Sequence, residues 1–101
     1  MGFALGPPAK DMQDPVYAEY RGTVAEQFRQ AAKDDGGEVD ARTLTAKVGG
    51  ATYDRYLAGK NGRIATVLIG VQNGRCVAYW YVGLVNGYEK FTNSVGRAEW
   101  K

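Results

Sequence analysis

Histidine is absent from this 101-residue chain, and cysteine occurs once, at Cys76. Without histidine there is no Ser-His or Cys-His nucleophile pair, no His-ligated zinc and no imidazole acid–base chemistry. A single cysteine excludes an internal disulfide and any multi-cysteine metal site. An enzyme built on this chain would have to work with Asp, Glu, Lys, Arg, Tyr or Ser. No apolar run approaches the roughly 20 residues that a membrane-spanning helix needs. The opening MGFALGPPAKDMQDP lacks a basic leader and a long apolar stretch, and Pro7 and Pro8 interrupt it, so it does not read as a signal peptide. These absences point to a small non-enzymatic protein of the cytoplasm, with no cofactor and no membrane partner.

What is present suits one small domain. Apolar residues make up 45% of the chain and charged residues 24%, enough for a packed core and too apolar for a disordered chain. The net charge of +2 is unevenly spread. Between Lys10 and Asp40 four basic residues stand against eight acidic ones, whereas between Ala41 and Arg75 six basic residues stand against Asp54 alone. Such asymmetry fits an anion-facing side, with nucleic acid the commonest large anion. It fits equally well two segments of opposite charge folding against each other.

Residues 1–13 read as a flexible tail, with Gly6-Pro7-Pro8 opposing regular structure, and 14–101 as a single domain. Asp14-Pro15 is a helix start, with Asp14 as the cap and Pro15 at the first helical position. Val16, Tyr20, Val24, Phe28 and Ala31 then recur at helical spacing with Tyr17 beside them, and Gly36-Gly37 ends the helix. Further on, Ile64 to Val71 and Cys76 to Val85 are rich in β-branched and aromatic residues. They flank Asn73-Gly74, a two-residue hairpin turn. That turn sets Gln72 opposite Arg75, Val71 opposite Cys76, Ile69 opposite Ala78, Val67 opposite Trp80 and Ala65 opposite Val82. The last four pairs are wholly apolar and define a core face. The other face is mixed, with Thr66, Leu68, Gln72, Arg75, Tyr79 and Tyr81. Asn86-Gly87 predicts a second turn and a third strand over Tyr88 to Thr92, completing a three-stranded antiparallel meander. Trp100 is expected to pack back on the body.

The intervening EVDARTLTAKVGGATYDRYLAGKNGR, residues 38–63, admits two readings. As helix, Asp40 caps a segment from about Ala41 to Val48, Gly49-Gly50 turns, and Thr52 caps a second segment from Tyr53 to Ala58 that Gly59 ends. Tyr53, Tyr56 and Leu57 then share an inward face. As strand, Leu44, Ala46 and Val48 alternate with Thr43, Thr45 and Lys47, the pattern of a half-buried strand. In that case the chain makes a cystatin-like helix on a four-stranded antiparallel sheet, with Gly49 to Gly62 as a loop along its edge.

In the helical reading, GEVDARTLTAKVGG resembles the first half of a winged helix-turn-helix motif. YDRYLAGK resembles the end of a recognition helix with a Leu-x-Gly-Lys close, and the following hairpin takes the place of the wing. The resemblance spans Glu38 to about Val85 in outline and some 20 residues in detail. It implies an α+β fold with an N-terminal helix, two short helices and the meander, and it implies double-stranded DNA as the partner of a transcription regulator acting as a dimer. Thr52, Arg55, Lys60 and Arg63 would then lie near bases or phosphates, Arg42 and Lys47 on the backbone, and Arg75 at the hairpin tip near the minor groove or a phosphate. Each of these charges is, taken singly, also an ordinary solvated residue. The strand reading implies instead a protein-binding module of inhibitor or immunity type, or a subunit that assembles through its sheet edges.

Other candidates carry little chemistry. Asp34-Asp35 sits at a helix end and reads as solvated. Gly59-Lys60 lacks the first glycine and the hydroxyl of a phosphate-binding loop. Tyr53, Tyr56, Tyr79, Trp80 and Tyr81 can stack on bases, but such residues more often form core and sheet surface. Cys76 falls on the core face of the hairpin and reads as an inert apolar residue.

Overall fold

The computed structural model describes residues 2–40, 43–48, 50–60 and 62–84, the side chains of Lys60 and Leu84 excepted. Its elements run β1 (Gly2–Pro8), α1 (Pro15–Asp34), β2 (Glu38–Val39), β3 (Leu44–Val48), β4 (Ala51–Lys60), β5 (Arg63–Gln72) and β6 (Arg75–Leu84). One six-stranded sheet, antiparallel at every pairing, has the order β1-β6-β5-β4, and the far side of β4 is shared by β2 and β3. The helix lies across one face of this sheet.

The helix forms where the sequence places it. Asp14 accepts hydrogen bonds from the backbone N–H groups of Val16 and Lys10, both at 3.0 Å, and Pro15 follows in the first turn. These two N–H groups hold the Asp14 carboxyl below its ordinary value. At the other end Gly36 takes φ +78°, a conformation that favours glycine, and Gly37 N–H reaches the Ala32 carbonyl. The buried stripe differs slightly from the expected one. Tyr17 and Ala25 are its buried members, Tyr20, Val24 and Phe28 pack at its margin, and Val16 and Ala31 are exposed.

The β5–β6 hairpin has the register expected from Asn73-Gly74, including Val71↔Cys76, Ile69↔Ala78, Val67↔Trp80 and Ala65↔Val82. Asn73 and Gly74 take φ +53° and +74°, as a two-residue turn of this hand requires. The strand expected over Tyr88 to Thr92, and Trp100, lie outside the described residues.

The helix-turn-helix is corrected by the structure. Neither short helix forms: 44–48 and 51–60 are strands β3 and β4, paired Leu44↔Arg55 through Val48↔Ala51, with Gly50 between them at φ +82°. One helix on a six-stranded sheet therefore replaces three helices and a meander, and the cystatin-like alternative is the nearer of the two. That alternative also needs amendment, because Ala51–Lys60, within the expected loop, is strand. The physical reason lies in the side chains. Tyr53 and Tyr56 fall on one side of a helix but on opposite sides of a strand. In the sheet both are buried, 2% and 4% exposed, one beneath each face. A two-turn helix cannot bury both rings in separate cores. The opening residues also differ from expectation: Gly2–Pro8, read as a tail, pairs with β6 as an outer strand. Its prolines come last, where an outer strand tolerates them.

Two cores result. Between helix and sheet lie Tyr17, Ala25, Tyr56, Val67, Ile69, Cys76 and Ala78. On the opposite face Tyr53, Leu68, Val77 and Tyr79 form a second cluster, with Ala46, Val48, Ala51 and Tyr81 against it.

Candidate functional site

The residues proposed to meet DNA do not converge. Register puts Lys47, Thr52 and Arg63 on the helix side of the sheet, because they alternate with the buried residues of the opposite face. Arg55 and Arg75 point to that opposite face, Arg55 paired with Leu44 and Leu68, Arg75 with Gln72 and Pro8. The first group is itself divided. Thr52 and Lys47 lie beyond the Asp54↔Ile69 pair, whereas Arg63 starts β5, six residues before Ile69 and so about 20 Å away along the strand. Lys60 ends β4 opposite Arg63, its side chain outside the described residues, and Arg42 is outside them altogether. No helix carries any of the described members of this set.

The acidic and basic segments are tied through one charge of the minority sign from each, Arg21 and Asp54. Asp54, the one acidic residue of the basic segment, faces the helix. Its Oδ2 accepts a hydrogen bond from the Tyr17 hydroxyl at 2.6 Å and pairs with Arg21 Nη1 at 3.2 Å. The same hydroxyl lies 3.0 Å from the Ile69 carbonyl oxygen. The Arg21 guanidinium also stands 5.9 Å from the centre of the Tyr17 ring. Burial first, and then the bond to Asp54, push the Tyr17 phenol far above its ordinary value. Further along, Arg29 lies over the Tyr56 ring at 5.1 Å, and Thr43 Oγ1 donates to the Tyr56 hydroxyl at 3.3 Å. The contacts of Tyr17, Arg21 and Arg29 fasten helix to sheet. They place the Asp54 Oδ2 between the Tyr17 hydroxyl and the Arg21 guanidinium.

Where α1 ends, a hollow of about 290 Å³ opens between the helix and β4–β5. Ala32, Gly37, Ala58 and Ala65 give it small apolar walls, with Asp35 and Arg63 as its charged groups. Such a lining accepts small apolar groups but supplies no nucleophile paired with a base. No cluster of three or more Cys, Asp or Glu side chains able to hold a metal ion occurs among the described residues. Cys76 is buried, and burial raises its thiol above its ordinary value, the opposite of an activated nucleophile.

The remaining candidate is β1 and the face beside it. Gly2, Ala4 and Gly6 turn toward the helix side, where a Cβ on Gly2 would come within 2.6 Å of the Trp80 ring and one on Gly6 within 2.4 Å of the Tyr20 ring. Small residues are thus required on that side. The two large ones, Phe3 and Leu5, point the other way and are 55% and 47% exposed. Phe3 extends an aromatic run: its ring centre is 6.2 Å from that of Tyr79, which meets Tyr53 edge-on at 6.0 Å and 89°. Among the described strands β1 is outermost, and Gly2–Pro8 carries no charge. The other edge differs, with Glu38 and Lys47 on β2 and β3. Charged residues commonly protect a sheet edge from pairing with another chain, and β1 has none.

The sequence did contain signals for this arrangement. Gly49-Gly50, Asn61-Gly62 and Asn73-Gly74 recur at intervals of twelve, which separates ten-residue strands by two-residue turns. Gly2-Phe3-Ala4-Leu5-Gly6 alternates small and large with the period of a strand. No helix among the described residues is long and apolar enough to cross a membrane. Compared with known proteins, the chain matches no family model, no curated protein and no solved structure.

Proposed function

We propose that this is a non-enzymatic protein-interaction domain that docks through the β1 edge of its sheet. The observation that carries the reading is the placement of Phe3 and Leu5, large, half-exposed and apolar, on an uncharged strand that is outermost among those described. An extended polypeptide laid along such an edge gains backbone hydrogen bonds from the strand and apolar contact from alternate side chains. Tyr79 packs beside Phe3 and is itself met edge-on by Tyr53, so the Phe3 ring is backed by buried aromatic side chains. None of the described cations of the nucleic-acid reading lies on a helix, and they are divided between two faces.

The test is an array of uncharged, β-branched heptapeptides probed with the labelled protein and with Leu5→Lys. Binding that shifts the backbone amide resonances of Gly2 to Gly6 and falls at least about tenfold in Leu5→Lys is the expected result. A blank array overturns the reading. So does salt-sensitive binding to duplex DNA that Leu5→Lys leaves unchanged, which would return attention to the basic residues.

A further inference from the structure

We infer that the helix side of the β3–β4 pair is a second contact surface, one that receives an extended acidic peptide with carboxylates at alternate positions. It lies apart from β1 and does not depend on the reading of β1 as a docking edge.

The pairing assembles this surface. Residues directly opposite in an antiparallel pair share a face. Thr45 and Lys47 of β3 therefore share the helix side with Asp54 and Thr52 of β4. Thr43, just before β3, joins them, because its hydroxyl meets that of Tyr56 at 3.3 Å. Thr43, Thr45, Lys47 and Thr52 are all exposed, so α1 stops short of this side of the pair. Gly22, two turns before Arg29 on the same flank of α1, keeps that flank low: a Cβ there would meet nothing within 4 Å. Three cations run along the surface. The Arg29 guanidinium lies over the Tyr56 ring, the Arg21 guanidinium reaches Asp54, and Lys47 stands opposite Thr52. Tyr56, Asp54 and Thr52 are alternate residues of one strand, so the cations follow one another at steps of roughly 7 Å.

These charges are unequally answered within the chain. Arg21–Asp54 is the only ion pair among the described residues, which leaves Arg29 and Lys47 without an acid there. The Arg29 Nε is buried and has no hydrogen-bond partner, so the donors of this guanidinium are not all used. The Tyr56 ring holds the group in place, and a planar guanidinium binds a carboxylate through two parallel hydrogen bonds. Alternate side chains of an extended peptide stand roughly 7 Å apart, the same step as the three cations. The Thr43, Thr45 and Thr52 hydroxyls lie between them as further donors. Asp54 is the acid on this face, and Arg21 already answers it, so three cations stand against one carboxylate. A chain of phosphates fits less well. The described part of this face offers no exposed ring for a base to stack on, Tyr56 being 4% exposed.

The test is fluorescence anisotropy of a labelled heptapeptide, with glutamate at alternate positions, titrated with the purified full chain. The same peptide with glutamine in place of glutamate is the control. The glutamate peptide is expected to bind at low salt and to weaken as salt rises, and the glutamine peptide to stay free. Lys47 is exposed, so Lys47→Gln should weaken binding only about two- to fivefold. Arg29→Gln, which removes the guanidinium, should weaken it at least about tenfold. Arg75→Gln removes one charge from the opposite face and should change nothing. Backbone amide resonances of residues 44–48 and 52–56 should shift on binding. If Arg29→Gln alters the thermal melting profile, Lys47→Gln and these shifts decide. No binding at low salt, equal binding of the glutamine peptide, or a loss in Arg75→Gln as large as that in Lys47→Gln overturns the inference. Shifts confined to Gly2 to Gly6 overturn it and leave the β1 reading standing. A thymidine homo-oligomer that binds more tightly and displaces the peptide overturns it in favour of nucleic acid.

Discussion

The two faces of the sheet are closed by different means. On the helix side the closure is directional: Tyr17, Asp54 and Arg21 join α1 to β4 through one carboxylate oxygen, and the same phenol reaches the backbone of β5. On the other side rings and methyl groups make the cluster, and the Tyr79 hydroxyl donates across the hairpin to Gln72 Oε1 at 3.0 Å. Tyr53 crosses Gly70 to meet Tyr79, above Leu68 and Val77. Yet the residues beneath are buried equally: Leu68 and Ile69, successive in β5 and facing opposite ways, are both 0% exposed. Burial alone does not distinguish the faces. What distinguishes them is what these hydrogen bonds join, helix to sheet on one side and β6 to β5 on the other. Hydrogen bonds fix where the helix sits, while the aromatic face continues through Tyr79 to Phe3 on β1, the outermost of the described strands.

This pair of neighbours offers the sharpest way to break the comparison. Leu68→Ala and Ile69→Ala should each lower the free energy of unfolding by about 2–5 kcal/mol, read by denaturant titration. Similar losses would mean that the face opposite α1 is packed as firmly as the face beneath it. A loss under about 1 kcal/mol for Leu68→Ala alone would show that this face yields, and that the aromatic backing of Phe3 is soft.

A smaller effect isolates the ring contact. Gly70→Val places a Cβ within 2.8 Å of Tyr53 Cδ1, on a ring only 2% exposed. Strand propensity favours valine over glycine, so propensity and packing predict opposite signs. Packing should win, with a loss of about 1–3 kcal/mol and a changed Tyr53–Tyr79 contact visible in the near-ultraviolet circular dichroism. A stabilised variant would mean that the Tyr53 ring moves aside at little cost.

The legible parts of the sequence were those in which a local signal decides the outcome. Asp14-Pro15 and Gly36-Gly37 bracket a helix through their own backbone chemistry, and Asn73-Gly74 sets a register that every following pair obeys. Residues 38–63 were different, because Thr52-Tyr53-Asp54-Arg55-Tyr56-Leu57 fits a short helix and a strand about equally well by periodicity. The choice was made by partners far along the chain: Tyr17 for Asp54, Val67 for Tyr56 and Gly70 for Tyr53. The supposed recognition helix was thus a central strand. Its Arg55 belongs beside Leu68 and its Lys47 on the opposite side, and a one-face cation patch could not survive the change of period. Phe3 and Leu5 were passed over for the converse reason. Their strand has no turn of its own to announce it, and only β6 holds it in place.

The finest test concerns the directional face. Tyr17→Phe keeps the buried ring and removes only the donor to Asp54, so the expected loss at neutral pH is about 1–3 kcal/mol. Its pH dependence is more telling. The Tyr17 phenol is raised from its ordinary value of 10.0, by burial foremost and by Asp54 next. Above about pH 10 the unfolded chain therefore releases this proton while the folded chain retains it. The folded state then binds more protons than the unfolded, and stability must fall as pH rises. The contribution is complete below pH 10 and is lost progressively above it. Tyr20 and Tyr53 are raised by burial as well, and Cys76 from 9.0, so the variant should keep a shallower slope. Melting temperatures of both proteins from pH 8 to 11 should start apart and converge as the wild-type loses its advantage. Parallel curves would show that the Tyr17 proton is not held by the fold, and the contrast between a directional face and an aromatic one would lose its chemical basis.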